Sequence, residues 1–101
     1  MSSLDMVMVR IYLTEENAHL ETLLTFLHDV EKVKGVTVFR AIEGYGDSGR
    51  IHTSSLIDLS MNLPIVVEFF DEPEKIDDII GHLENNFKPG HIVSWPIHVR
   101  A

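Results

Sequence analysis

The stretch Gly44-Tyr45-Gly46-Asp47-Ser48-Gly49-Arg50-Ile51-His52 gathers residue types that can hold an anion. Glycines allow close backbone approach, and successive N–H groups form a nest for negative charge. Arg50, Lys88 and Arg100 are the candidate phosphate partners, with arginine able to offer a bidentate fork. Taken alone, so short a glycine-rich run also reads as an ordinary turn. Within it, Gly46-Asp47-Ser48-Gly49 spells a serine-nucleophile motif, with His52 and Asp58 nearby. Nucleophilic catalysis needs serine, base and orienting acid fixed by a rigid scaffold. Here all three fall in one loop, so Asp47, Ser48 and Gly49 read as turn residues and no enzyme is expected.

Six histidines raise the question of a metal. His19 and His28 stand nine apart on a helical stretch, and His91 and His98 seven apart on a strand, so each pair falls on opposite faces. No pair has ligand spacing, and no metal is expected to be required.

The elements that must position these residues are legible from periodicity. Residues 6–13 alternate, with Val7, Val9, Ile11 and Leu13 on one face of a strand. Thr14 offers an N-cap, Glu15 and Glu16 a favourable first turn, and Leu20, Leu23, Leu24, Leu27 and Val30 an amphipathic stripe that Gly35 closes. Val36 to Ile42 reads as a second strand and Leu63 to Phe70 as a third. Between them the chain runs without a clear element from Glu43 to about Met61, apart from one helical turn conceivable at Ser54–Leu59. Connections longer than roughly 12–15 residues are uncommon in compact domains unless they carry function or are disordered.

Asp71-Glu72-Pro73-Glu74 reads as a helix start with Asp71 capping, and Ile76, Ile79, Ile80, Leu83 and Phe87 as the second stripe. Gly81 inside that stripe suggests close packing. Lys88-Pro89-Gly90 stops the helix, and His91 to Val99 forms the last strand, with Pro96 placing it at an edge or a bulge.

The halves repeat one topology, βαβ then βαβ. The expected fold is α+β, a ferredoxin-like βαββαβ sandwich with both helices on one sheet face. The strands carry apolar groups on both sides, and no third helix is available to cover the second. Subunits are therefore expected to pack sheet to sheet. Arg10 and Glu68 are candidates for pairing at such an interface, or equally for sheet-edge positions.

A chain of 101 residues, with 45% apolar residues and no cysteine, is expected to form one domain, residues 1–101, without disulfides or thiolate sites. The absence of cysteine and of a recognisable leader fits a cytoplasmic address. No apolar run approaches a membrane span. A net charge of −8 argues against nucleic acid as a partner.

The blocks Gly35–Gly46, Gly49–Thr53 and Leu63–Asp71 match, in order and spacing, a known group. The sequence resembles the small PII-like signalling proteins long described as a domain of unknown function, related to nitrogen regulatory PII proteins. The resemblance covers nearly the whole chain. It implies a homotrimer packed through its sheets, with an adenine nucleotide (ATP, ADP or AMP) as effector in each intersubunit cleft. It implies a long loop, residues 44–60, that regulates a transporter or enzyme partner, so the protein itself is a regulator and not an enzyme. Gly44, Tyr45 and Gly46 resemble the loop base near the ligand. Lys88, Gly90 and His91 occupy the place of a phosphate-binding loop, in shorter form, and Arg100 falls near the basic C-terminal segment. Arg50 joins them, and Asp47, Ser48, Gly49, Ile51, His52 and Thr53 become the partner-binding loop. Trimeric divalent-cation-tolerance proteins of the same architecture supply the alternative, a metal-binding trimer.

Overall fold

The computed structural model describes residues 2–14, 19–44, 52–53, 64–87 and 91–101. Strand β1 spans Ser3–Thr14, helix α1 Leu20–Thr25, β2 Gly35–Arg40, β3 Glu43–Gly44 and β4 His52–Thr53. Strand β5 spans Pro64–Asp71, helix α2 Pro73–Leu83 and β6 Ile92–Arg100. Four strands form one antiparallel sheet in the order β2-β5-β1-β6, and β3 and β4 form a separate ribbon. This is the expected ferredoxin-like arrangement. Among the described residues, no helix is long and apolar enough to cross a membrane.

Strict alternation builds the core. In β5, Ile65, Val67, Phe69 and Asp71 are buried while the residues between them are only half-buried. Their β1 partners Val9 and Ile11 share that face, and Leu23, Leu27, Ile76, Ile79 and Leu83 close over it from the helices. Among the described residues, nothing covers the opposite parity. It includes Leu4, Met8, Arg10 and Tyr12 of β1, Val66, Glu68 and Phe70 of β5, Thr37 and Phe39 of β2, and Val93 and Trp95 of β6. Met6 alone among the described residues of this face is buried.

Pro96 sits on β6, which pairs with β1 alone, so it occupies an edge strand. The bond from Ala101 N–H to Ser2 O and that from Tyr12 N–H to His91 O fix the alternation of the ladder. Pro96 then falls at a position whose missing N–H faces the open edge, where no ladder bond is lost.

Several local expectations need correction. Thr14 ends β1 and does not cap α1; the helix begins at Leu20 behind His19, which has φ 42°. Residues 15–18 lie outside the described set. After Thr25 the helix widens into a π turn, Phe26–Val30, with Glu31 N–H bonding to Phe26 O at 2.9 Å. A wider turn shifts the following side chains around the axis, so Val30 leaves the stripe and is 66% exposed. The left-handed residue that ends this segment is Lys32, φ 52°, while Gly35 opens β2. The ammonium of Lys75 donates to Lys32 O at 2.7 Å and steadies that turn.

Strand β2 ends at Arg40, and Ile42 is largely exposed. Asp71 does not cap α2. The ladder with β1 extends to Val7↔Asp71, which places Asp71 inside the strand and Glu72 at the cap, with Pro73 as the first helical residue. A Cβ added to Gly81 would meet nothing within 4 Å, so that glycine is not there for close packing.

Candidate functional site

The long connection opens with a ladder. Glu43 pairs with Thr53 and Gly44 with His52, so a two-stranded ribbon brackets residues 45–51. A Cβ on Gly44 would stand 3.2 Å from Pro64 Cγ, closer than side chains ordinarily approach. Glycine here lets the ribbon lie against the start of β5. The amide of Ala41 donates to Pro64 O at 2.9 Å and ties the same corner.

Pro64 pairs with Thr14, the last residue of β1. Two residues earlier, the Tyr12 amide donates to His91 O at 2.9 Å. Gly44 and His91 therefore lie toward the same end of the sheet, beside strands β5 and β6, which stand two strand spacings, or about 10 Å, apart. Arg100 does not join them. It pairs with Ser3 at the far end of β6, eight residues from Ile92, or about 26 Å at strand rise. His52 and Thr53 lie in β4. Tyr45, Gly46, Asp47, Ser48, Gly49, Arg50, Ile51, Lys88 and Gly90 fall outside the described residues, as does the helical turn expected at 54–59. Two open grooves among the described residues lie along α1; one, about 540 Å3, is bounded by Leu24, His28 and Lys34.

Two polar centres take roles other than those the sequence suggested. The first is Asp71, 2% exposed. Its Oδ1 accepts from Glu72 N–H at 2.8 Å and its Oδ2 from Lys34 N–H at 3.2 Å, with Lys75 Nζ 3.1 Å from Oδ2. One carboxylate thus ties the entry of β2 to the start of α2. Proline favours the first helical position, so Pro73 could have pointed to Glu72 as the cap and freed Asp71 for this role.

The second centre lies on the uncovered sheet face. Arg10 and Glu68 face each other in the ladder and pair within one subunit, away from any edge. Nε of Arg10 donates to Glu68 Oε2 at 3.0 Å, and Nη2 donates to the same oxygen. The guanidinium carbon lies 5.4 Å from the Trp95 ring centroid, within cation–π range. Hydrogen bonds to Glu68, then to Tyr12, raise the Arg10 pKa above its ordinary value, so this group stays cationic. The sequence offered both residues as candidates for a pair, but only the register makes them neighbours within one subunit.

Three of the described histidines associate with acids. His28 Nδ1 lies 2.6 Å from Asp29, His82 Nδ1 2.7 Å from Glu31 and His98 Nδ1 3.0 Å from Asp5. Among the described residues, no three His, Asp or Glu side chains gather in a metal-binding group.

Comparisons with known proteins bear on this geometry. The family model for DUF190, described as Uncharacterized ACR, matches residues 6–99. A UPF0166 protein of Aquifex aeolicus is 44% identical over 52 residues, 52% of this chain and 50% of its own length. The chain thus aligns with about half of that relative. Among solved structures, CPII from Thiomonas intermedia K12 is a nitrogen regulatory PII-like protein bound to ADP, AMP and bicarbonate. It superposes with a TM-score of 0.73 at 22% identity, covering 97% of this chain and 91% of its own. CutA1 from Oryza sativa superposes with a TM-score of 0.59 at 11% identity, over 98% and 84%. At such identities the likeness establishes the fold.

Proposed function

The chain belongs to the DUF190 family of uncharacterized ACR proteins, and from that premise we propose that it is a PII-like regulatory protein and not an enzyme. Residues 1–101 form one domain, and three copies assemble through their uncovered sheet faces. Each cleft between copies holds an adenine nucleotide. Gly44, Tyr45, Gly46 and Arg50 contribute from the loop base, and Lys88, Gly90 and His91 from the segment after α2. Arg100 of the partner subunit completes the set, since within one subunit that residue stands at the opposite sheet end.

The observation that most supports this reading is the shared sheet end. The ribbon holding Gly44 and the start of β6 at His91 flank the same rim of the sheet. A nucleotide lodged there would touch both the loop base and the turn after α2. CPII, which shares the fold, was solved with ADP and AMP. Residues 47–53, within the 44–60 loop, then engage a transporter or enzyme partner in the cytoplasm. A ligand can signal only by favouring one state of that loop over another.

Calorimetry with ATP, ADP, AMP and cyclic AMP tests the reading. Heat of binding for at least one is expected, weakened on the order of tenfold by Arg50→Ala or Lys88→Ala, since a charged hydrogen bond is lost in each. Silence for all four removes the sensor function. The second reading, a metal-binding trimer, is favoured only by the lesser likeness to CutA1. A titration with divalent cations, repeated on His52→Ala and His91→Ala, separates the two.

A further inference from the structure

We propose that the Arg10–Glu68 pair, set beside Trp95 in the middle of the uncovered sheet face, fixes the single register in which copies of this chain pack together. The inference rests on the assembly described under the proposed function and adds the residues that make it unique.

Charge distribution identifies the occupant of the face as a second copy. The chain carries a net charge of −8, so two copies approaching at random repel. Among the described residues, the strand register places only Arg10 and Glu68 as charged groups on this face, and they neutralise each other. Around them stand exposed apolar groups: Leu4 at 45%, Tyr12 at 42%, Phe39 at 49% and Trp95 at 37%. The surface is apolar, neutral and free of like-charge repulsion toward its own copy.

Apolar contact alone does not choose a register, because one greasy group is about as welcome against another. An ion pair does choose. The Arg10 and Glu68 side chains are still 37% and 18% exposed, so covering them completes their removal from water. That costs free energy unless their remaining hydrogen-bonding capacity is met. Both bonds to Glu68 fall on Oε2 and a further one goes to Tyr12, which still leaves donors among the five of the guanidinium. A copy seated in the right register can meet them with its own polar groups, whereas a slipped one covers them with Phe39 or Leu4. A buried polar residue fixes register in other assemblies by the same means. The cation–π contact with Trp95 holds the guanidinium in place for that choice.

Sedimentation and native mass spectrometry on the full chain at low micromolar concentration read the outcome. The wild type is expected to give one oligomeric mass. Glu68→Leu leaves Arg10 unpaired and should weaken association on the order of 100-fold. Arg10→Met combined with Glu68→Leu makes the face wholly apolar; that variant should still associate, but spread over more than one mass. Thermal melts confirm that both variants remain folded, as expected of side chains outside the core. If the double variant gives the same single mass and dissociation midpoint as the wild type, the register role is overturned while the assembly stands. A wild type that stays monomeric overturns both together.

Discussion

The two faces of the main sheet are built from the same strands and differ only in parity, yet their fates diverge. On one, Val9, Ile11 and Val67 have no exposure at all and Phe69 has 1%, sealed by the two helices. On the other, Phe39 is 49% exposed and Trp95 37%, with no element among the described residues above them. Composition alone does not separate the faces, since both carry large apolar groups. The difference lies in supply: two helices can cover one face of four strands and no more. A single chain of this design is therefore complete on one side only, and its second side is a surface awaiting a partner.

The strongest way to break that comparison is to truncate one aromatic from each face. Phe69→Ala should cost about 3–5 kcal/mol of subunit stability by opening a cavity that the packed helices cannot fill. Phe39→Ala should leave the unfolding free energy of the isolated subunit within about 0.5 kcal/mol, yet weaken self-association. Urea unfolding below and above the association midpoint measures both. Equal losses for the two variants would mean that the faces are not energetically distinct.

Next in size is the carboxylate that terminates the covered face. Asp71 receives bonds from two backbone amides and the Lys75 ammonium. Asp71→Ala removes the partner of the Lys34 and Glu72 amides at a part-buried corner, and a hydrogen bond to a charged group contributes on the order of 1.5–3 kcal/mol. The expected result is a loss of about 2 kcal/mol with assembly unchanged, because the corner lies on the helix side of the sheet. Hydrogen exchange at the Lys34 and Glu72 amides provides a local readout: both should lose protection if these bonds are what shelters them.

What the sequence could reveal follows from this same division. Alternation over residues 6–13 put Val9 and Ile11 on one face, and both prove buried, because burial on a covered face is a period-two property. Pro96 pointed to an edge or a bulge because a missing N–H has few places to go, and β6 is an edge strand. The π turn was not legible: Val30 sits at correct helical spacing after Leu27, and only one extra residue in the backbone turn expels it. Lys32 at φ 52° escaped notice because nearby Gly35 was the obvious terminator. The partnership of Arg10 with Glu68 depends on a register across 58 positions, which no local pattern encodes. For the candidate site, residue types announced the loop, but whether its members converge is a question of sheet ends. Gly44 and His91 do share one, and Arg100 does not.

The smallest expected effect sharpens the comparison from outside both faces. Helix α2 presents Ile76, Ile79 and Leu83 to the covered face and Gly81 to solvent. An added Cβ at Gly81 meets open space, so substitution gains helix propensity and reduces the freedom of the unfolded chain without a steric cost. Gly81→Ala should therefore stabilise by about 0.5–1 kcal/mol, or roughly 3–6 °C in a thermal melt of a domain this size. Its association midpoint and nucleotide affinity should match the wild type. A shift in association would mean that subunit stability and assembly are coupled through the helices, because this position touches neither sheet face; the covered and uncovered sides would then act as one cooperative unit.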